Sequence, residues 1–302
     1  MKKLLLTICA VCVVIMTQAQ QPNWKLGVSV GVTQPDLENF FKYAKAAGID
    51  YLEVGLPTYK KTDLATAVKQ VADYKTKADA AGMVIWSVHI PFGWDYDISE
   101  IDPVKREACK QYIMVQFEIA KGLGSYKKAI IHPSYEPNDP QRRVAKVAAL
   151  REVLSEIGPK VEKEYGCRIA VEDLPRTCLG NSSKEMLEIV DGIPSVDVCF
   201  DVNHLLGEKS ETFAKNVGSR IKTLHISDYD EINERHWLPG KGVINWNGVV
   251  GALVEASYDG PFMFEVTKTP WGDDMQKFCN DLVGSWNTIR ENYQKSIAQK
   301  NK

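Results

Sequence analysis

A (β/α)8 barrel, one α/β domain preceded by a signal peptide, is the fold class this sequence predicts. Three observations carry it. Short apolar runs alternate with amphipathic stretches eight times across residues 24–295. The amphipathic stretches end in a glycine within a few residues of the next run, as helices do, because glycine accepts the left-handed backbone past a helix C-terminus. Histidines and carboxylates cluster where the apolar runs stop: His89, His132, Glu172, Asp201, His225 and Glu265. Strand–helix alternation builds a parallel sheet, and a closed barrel gathers all its strand ends at one mouth, where its chemistry sits.

The elements follow in order. Lys2 and Lys3 precede an apolar stretch from Leu4 to Met16, and Ala19 follows. Residues 1–20 therefore read as a signal peptide, its apolar core shorter than the roughly 20 residues of a membrane span. An exported, periplasmic protein without a stable membrane anchor is expected. Strands are expected at 26–32, 49–55, 83–90, 127–132, 168–173, 196–201, 221–227 and 261–266. Their Val, Ile, Leu and Phe content suits parallel strands covered on both faces. The first helix should start at Asp36 as N-cap and end at Gly48, and the second should end at Gly82. The third, with Pro103 at its first position, should end at Gly124. The same grammar continues to Gly166, Gly192, Gly218 and Gly260. No GxGxxG follows the first strand, so a dinucleotide fold has no local support. Residues 296–302 form a polar tail expected to fray.

Composition narrows the function classes. Removal of Lys2 and Lys3 takes the net charge from -2 to -4. No Lys/Arg block stands out, so nucleic acid is not expected as a partner. Nothing in the composition speaks against a homo-oligomer. Five cysteines lie beyond residue 20, without CxxC spacing, so no zinc ribbon is indicated. Cys109, Cys199 and Cys279 sit in apolar patterns and are assigned to the core. A Cys167–Cys178 bridge would suit an oxidising compartment, but the spacing does not argue for it.

Glu172, Asp201, His225 and Glu265 end the fifth to eighth strands, one each. Three carboxylates and an imidazole are a donor set for a hard or borderline divalent metal: Mn, Zn, Co or Mg. One strand-end carboxylate is as easily a helix cap; four such donors on successive strands are not. A second group, His89, His132, His204, Glu234 and His236, marks either a second metal site or a polar substrate wall. Asp173 and Arg176 are expected to orient the ligands.

The full order is His89, His132, Glu172, Asp201-x-x-His204, His225, Glu234-Arg235-His236 and Glu265. It resembles the xylose isomerase-like TIM-barrel superfamily, which includes sugar isomerases, sugar epimerases and endonuclease IV (AP endonuclease family 2). In the epimerase branch, the ligands matching Glu172, Asp201, His225 and Glu265 hold one Mn-like ion. In the endonuclease branch all nine positions hold three zinc ions, and the loop motif is D-R-H where this chain has Glu234-Arg235-His236. The contexts HIPFG and HPSYEP are more similar to sugar phosphate isomerases and epimerases.

The resemblance implies a divalent-metal-dependent isomerase or epimerase acting on a carbohydrate or keto-polyol. Proton transfer would pass through a metal-stabilised enediolate, with Glu172 and Glu265 as the acid/base pair. His204 and Arg235 would polarise substrate oxygens, Phe92, Trp94 and Trp237 would stack on a sugar, and Lys241 would meet an anionic group. Three alternatives share the residues: an endonuclease IV-like multi-zinc phosphodiesterase, a sugar dehydratase or lyase, and a non-catalytic sugar-binding barrel. The signal peptide, the acidic balance and the missing basic stripe weigh against the phosphodiesterase.

Overall fold

The computed structural model describes residues 22–58, 63–136 and 139–300; the predicted signal peptide lies outside them. The strands are β1 (Leu26–Gly31), β2 (Ile49–Gly55), β3 (Val84–His89), β4 (Lys128–Ile131), β5 (Arg168–Glu172), β6 (Val196–Asp201), β7 (Ile221–His225) and β8 (Phe262–Phe264), each inside its predicted run. All pair in parallel, in the order β7-β6-β5-β4-β3-β2-β1-β8. A parallel bridge between Ile226 and Phe264 closes the ring. There Ile226 N–H donates to Met263 O at 2.8 Å and Glu265 N–H donates to Ile226 O at 3.0 Å.

The main helices are α1 (Leu37–Ala47), α2 (Leu64–Ala80), α3 (Pro103–Ala120), α4 (Arg143–Tyr165), α5 (Ser183–Val190), α6 (Ser210–Val217), α7 (Trp246–Glu255) and α8 (Met275–Lys300). Side-chain oxygens of Asp63, Asp102, Ser182 and Asn245 accept from the first free N–H groups of α2, α3, α5 and α7. Asp36 stands at the N-cap of α1 as predicted, but its side chain makes no capping hydrogen bond. It sits at φ 49°, and its carboxylate takes the Asn39 side-chain amide instead. Six of the seven predicted helix-ending glycines have positive φ. Gly260 does not; it is small for space, since a Cβ there would meet the Tyr258 hydroxyl at 2.4 Å. α8 runs on to Lys300, so residues 296–300 of the predicted tail are helical, and Ile297 packs against the core.

Strand parity organises the molecule, because successive side chains point to opposite faces. On β5, Ile169 and Val171 join the large core between sheet and helices, and on β6, Val196, Val198 and Phe200 do so. The alternate residues face the barrel interior. Ile130, Ala170 and Cys199 form a separate small apolar cluster there. Beyond it, toward the strand C-termini, stand Glu172, Asp201, His225 and Glu265. Toward the N-termini stand Lys128, Arg168 and Asp197. The five described cysteines are buried and free, so Cys167 and Cys178 are not bridged. Among the described residues no helix is long and apolar enough to cross a membrane.

Asp197 is 6% exposed and takes Lys128 Nζ at 2.6 Å and Arg168 Nε at 2.9 Å. Burial pushes its carboxyl up, but the Arg168 and Lys128 hydrogen bonds outweigh it and leave the pKa below the ordinary value. Asp197→Asn is expected to cost about 3 kcal/mol of stability, the low end for a buried pair losing one partner, with the mouth chemistry intact. A depressed carboxyl stabilises fully above its unfolded pKa of about 3.9 and progressively less as pH falls through the lower folded value. The wild-type advantage in a urea titration should therefore be full at pH 7 and shrink below pH 4. An advantage independent of pH would disprove the ionic account.

Candidate metal centre

Four strands deliver the centre. Glu172 ends β5, Asp201 ends β6, His225 ends β7, and Glu265 follows β8 directly. One donor atom from each lies within 4.8 Å of the other three. His225 Nδ1 is the hub, at 2.9 Å from Glu172 Oε1, 3.2 Å from Glu265 Oε2 and 3.9 Å from Asp201 Oδ2. Glu172, Asp201 and His225 are all but inaccessible to solvent.

The second predicted group surrounds this hub. His89 Nε2 and His132 Nε2 both approach Glu172 Oε2 at 3.2 Å. His204 Nε2 lies 3.5 Å from Asp201 Oδ2 and 3.7 Å from Glu234 Oε2, and His236 Nδ1 lies 3.9 Å from Glu265 Oε2. Among the described residues, two sets of donors are close enough to share an ion. They are the four strand-end residues and the trio His89, Glu172 and His225. His132, His204, Glu234 and His236 belong to neither set.

The donor set fits a divalent cation. Asp201 Oδ2 is buried without a hydrogen-bond partner, and no Lys or Arg pairs with any of the four donors among the described ion pairs. Burial first, and then the charge of Glu265, push the Asp201 carboxyl well above its usual range. Burial also drives Glu172 upward, but the imidazoles of His225 and His132 outweigh it and hold the carboxyl well below. His89 is pushed down by burial, yet its hydrogen bond to Glu172 wins and lifts it to about 9. A buried cluster so rich in carboxylate and so poor in fixed cations is a candidate site for a divalent cation.

Polar residues behind the donors fix their positions. Asp173 accepts the Asp201 N–H at 2.7 Å, and its carbonyl oxygen faces His204 Nδ1 at 2.8 Å. Asn203 Oδ1 accepts the Arg235 and His236 N–H groups at 2.9 and 3.2 Å. That anchors the loop after β7 at His236, where φ is 50°. Asn203 and Glu53 were not evident as site residues from the sequence. Asn203 carries no charge, and Glu53 lies mid-strand; a carboxylate flanked by Leu52 and Val54 inside the run IDYLEVG was the available signal for it.

The mouth holds a cavity of about 320 Å³ lined by His89, Phe92, His132, Tyr135, Glu136, Glu172, Arg176, His204, Glu234, His236 and Glu265, among others. Of the predicted substrate contacts, Phe92 lines it, stacked on His132 with ring centroids 4.4 Å apart. Trp94 does not; it packs edge-on against Tyr135. Arg235 is turned away to Asp230, at 2.8 Å, and lies over the Trp237 ring. Trp237 and Lys241 line a separate groove with Trp271 and Asp281. Loop direction, which no periodicity encodes, decides these placements. Arg176 bridges Glu136 at 2.9 Å and Glu234 at 3.0 Å.

The sequence model of a family described as Xylose isomerase-like TIM barrel matches residues 41–281. An uncharacterised protein of Methanocaldococcus jannaschii is 30% identical over 187 residues, 59% of this chain. The match spans 63% of that relative's length and 63% of a second from the same organism. A solved D-tagatose 3-epimerase-like protein superposes with a TM-score of 0.68 at 22% identity, covering 92% of this chain and 100% of its own. D-Psicose 3-epimerase from Clostridium cellulolyticum H10, solved with D-tagatose, gives 0.72 at 18% identity over 89% of this chain and 99% of its own. At such identities the likeness to these structures is one of fold.

Proposed function

Because the chain belongs to the xylose isomerase-like TIM barrel family, we propose that it is a divalent-metal-dependent isomerase or epimerase of a neutral sugar or keto-polyol. The observation that carries the reading is the convergence of two carboxylates, Glu172 and Glu265, on His225 Nδ1 inside the mouth cavity. They enter from β5 and β8, which β6 and β7 separate in the ring, so a substrate carbon between them presents a different face to each. Held by Glu172, Asp201, His225 and Glu265, a divalent ion would supply Lewis-acid polarisation of a substrate carbonyl and its neighbouring hydroxyl.

The chain's own groups handle the proton. One carboxylate takes it from the carbon next to the carbonyl; the electron pair of that C–H bond forms a C=C bond and the C=O π pair moves onto the carbonyl oxygen, giving an enediolate. The other carboxylate returns a proton to the opposite face in epimerisation, or the proton goes to the adjacent carbon in isomerisation. His89 and His132, both on Glu172 Oε2, keep that carboxylate aligned. Phe92 offers a partly exposed ring beside the cavity.

Charge favours a neutral substrate. Arg176 is the one Lys or Arg side chain among the described residues lining the cavity, and Glu136 and Glu234 already occupy it. A phosphate ester would meet four carboxylates, and the one Lys or Arg side chain among the described lining residues is already ion-paired. An exported enzyme would also encounter free sugars rather than phosphorylated ones. The test is deuterium wash-in from D2O across ketoses and polyols, each with its phosphate ester. Exchange should be seen with a free sugar, and kcat/KM for its phosphate ester should be lower by at least about tenfold, the equivalent of about 1.4 kcal/mol of unmatched charge. No exchange with any member of the panel would refute the carbon-acid reading. Faster exchange with the ester would refute only the neutral-substrate part.

A further inference from the structure

Glu53 is completely buried in the middle of β2. Its neighbours Leu52 and Val54 belong to the helix-facing core, so its own side chain has the inward parity. In register it lies beside Ser29 on β1 and Ser87 on β3. Ser87 Oγ donates to Glu53 Oε2 at 2.8 Å. Glu53 Oε1 lies 2.8 Å from His225 Nε2, an ion-pair contact, and neither atom has another partner among the described hydrogen bonds. No Lys or Arg pairs with this carboxylate among the described residues. Burying a carboxylate costs several kcal/mol unless its surroundings repay it, and here the repaying group is the imidazole at the hub of the metal centre.

The two ring nitrogens of His225 face different partners. Nδ1 looks into the donor cluster, at Glu172 and Glu265, and Nε2 looks down the barrel at Glu53. An imidazole that gives one nitrogen to a metal ion must present a lone pair there, which leaves its single N–H on the other nitrogen. We propose that Glu53 is the positioning residue of the centre: it stabilises the His225 tautomer protonated on Nε2, sets the ring orientation, and so offers the Nδ1 lone pair to the ion. Ser87 holds the Glu53 carboxylate in place. This inference rests on the reading of the four strand-end residues as a metal site, and Glu53 touches neither the ion nor the substrate.

The experiment uses the whole chain, freed of metal and titrated with Co2+ and Zn2+ against a competing chelator. Glu53→Gln keeps the side-chain volume and removes the charge. Its Kd for the ion should rise by about 10–100-fold, the usual effect of losing a group that orients a ligand. Glu53→Asp should rescue part of the loss, and Ser87→Ala should show a smaller loss in the same direction. In the Zn-loaded wild type, the His225 Nε2–H proton should give a protected, strongly shifted NMR resonance that disappears or moves in Glu53→Gln. A purely structural role would lower the melting temperature of the metal-free protein and leave the Kd unchanged. An unchanged Kd in folded Glu53→Gln overturns the proposal. If that variant does not fold, an unchanged Kd in both Glu53→Asp and Ser87→Ala overturns it instead. A wild-type chain that binds neither ion refutes the metal site itself, an outcome distinct from wild-type binding that the Glu53 variants leave intact.

Discussion

Glu265→Gln should lower kcat by about 10²–10⁴-fold, the range expected when a positioned acid or base is removed. The substitution keeps the shape of the side chain and one oxygen near His225 Nδ1, so the mouth should stay assembled. What it removes is the ability to take a proton. The proton-transfer scheme gives the loss a signature beyond its size. Glu172 still serves the other face of the substrate carbon, so deuterium wash-in should persist from one epimer and vanish from the other. Loss of exchange from both epimers, together with lost metal, would assign Glu265 to ion binding alone. Full activity would remove it from the acid/base pair.

Metal removal should have the second largest effect. The centre buries Glu172 and Asp201 and half-buries Glu265 with no fixed cation among them. In the metal-free protein only the neighbouring imidazoles and the raised Asp201 carboxyl relieve the repulsion among these acids. Dialysis against a chelator should abolish turnover and lower the melting temperature by about 5–10 °C. That figure follows from about 2.7 kcal/mol of stabilisation at a hundredfold excess over Kd and about 2–4 °C per kcal/mol for a chain of this size. Elemental analysis of protein reloaded with Mn, Co or Zn should give about one ion per chain. Three zinc ions per chain would favour the phosphodiesterase alternative, since the looser group around His132, His204, Glu234 and His236 would then be occupied. A melting temperature indifferent to metal would argue against a resident ion.

The sequence disclosed some of this directly and hid the rest for physical reasons. The eight strands were legible because each is a near-continuous apolar run, and the helix ends because glycine marks them. Glu172, Asp201, His225 and Glu265 were legible because each follows apolar neighbours at a strand end, where polarity stands out. His89 and His132 were legible as mouth residues, but not that both would meet on one oxygen of Glu172, which depends on barrel closure. Glu53 escaped because polarity in mid-strand looks like an irregularity until parity turns it inward. Trp94, Arg235, Trp237 and Lys241 went elsewhere because loops follow local hydrogen bonds, such as those that Asp230 and Asn203 impose. Asp36 showed the limit of residue-type rules: a favoured capping residue adopted a backbone in which its carboxylate serves a neighbouring side chain.

The alternation along β5 and β6 has a consequence for how the protein can change. Odd and even positions of one strand answer to different demands: one set satisfies the helices, the other the mouth. Replacing an inward residue at the mouth end alters reactivity without disturbing the outer packing, so new specificities can be tried on an unchanged frame. Inserting or deleting one residue within a strand exchanges the two sets and forfeits both at once. The lineage can therefore explore chemistry by substitution, while length changes are confined to the loops.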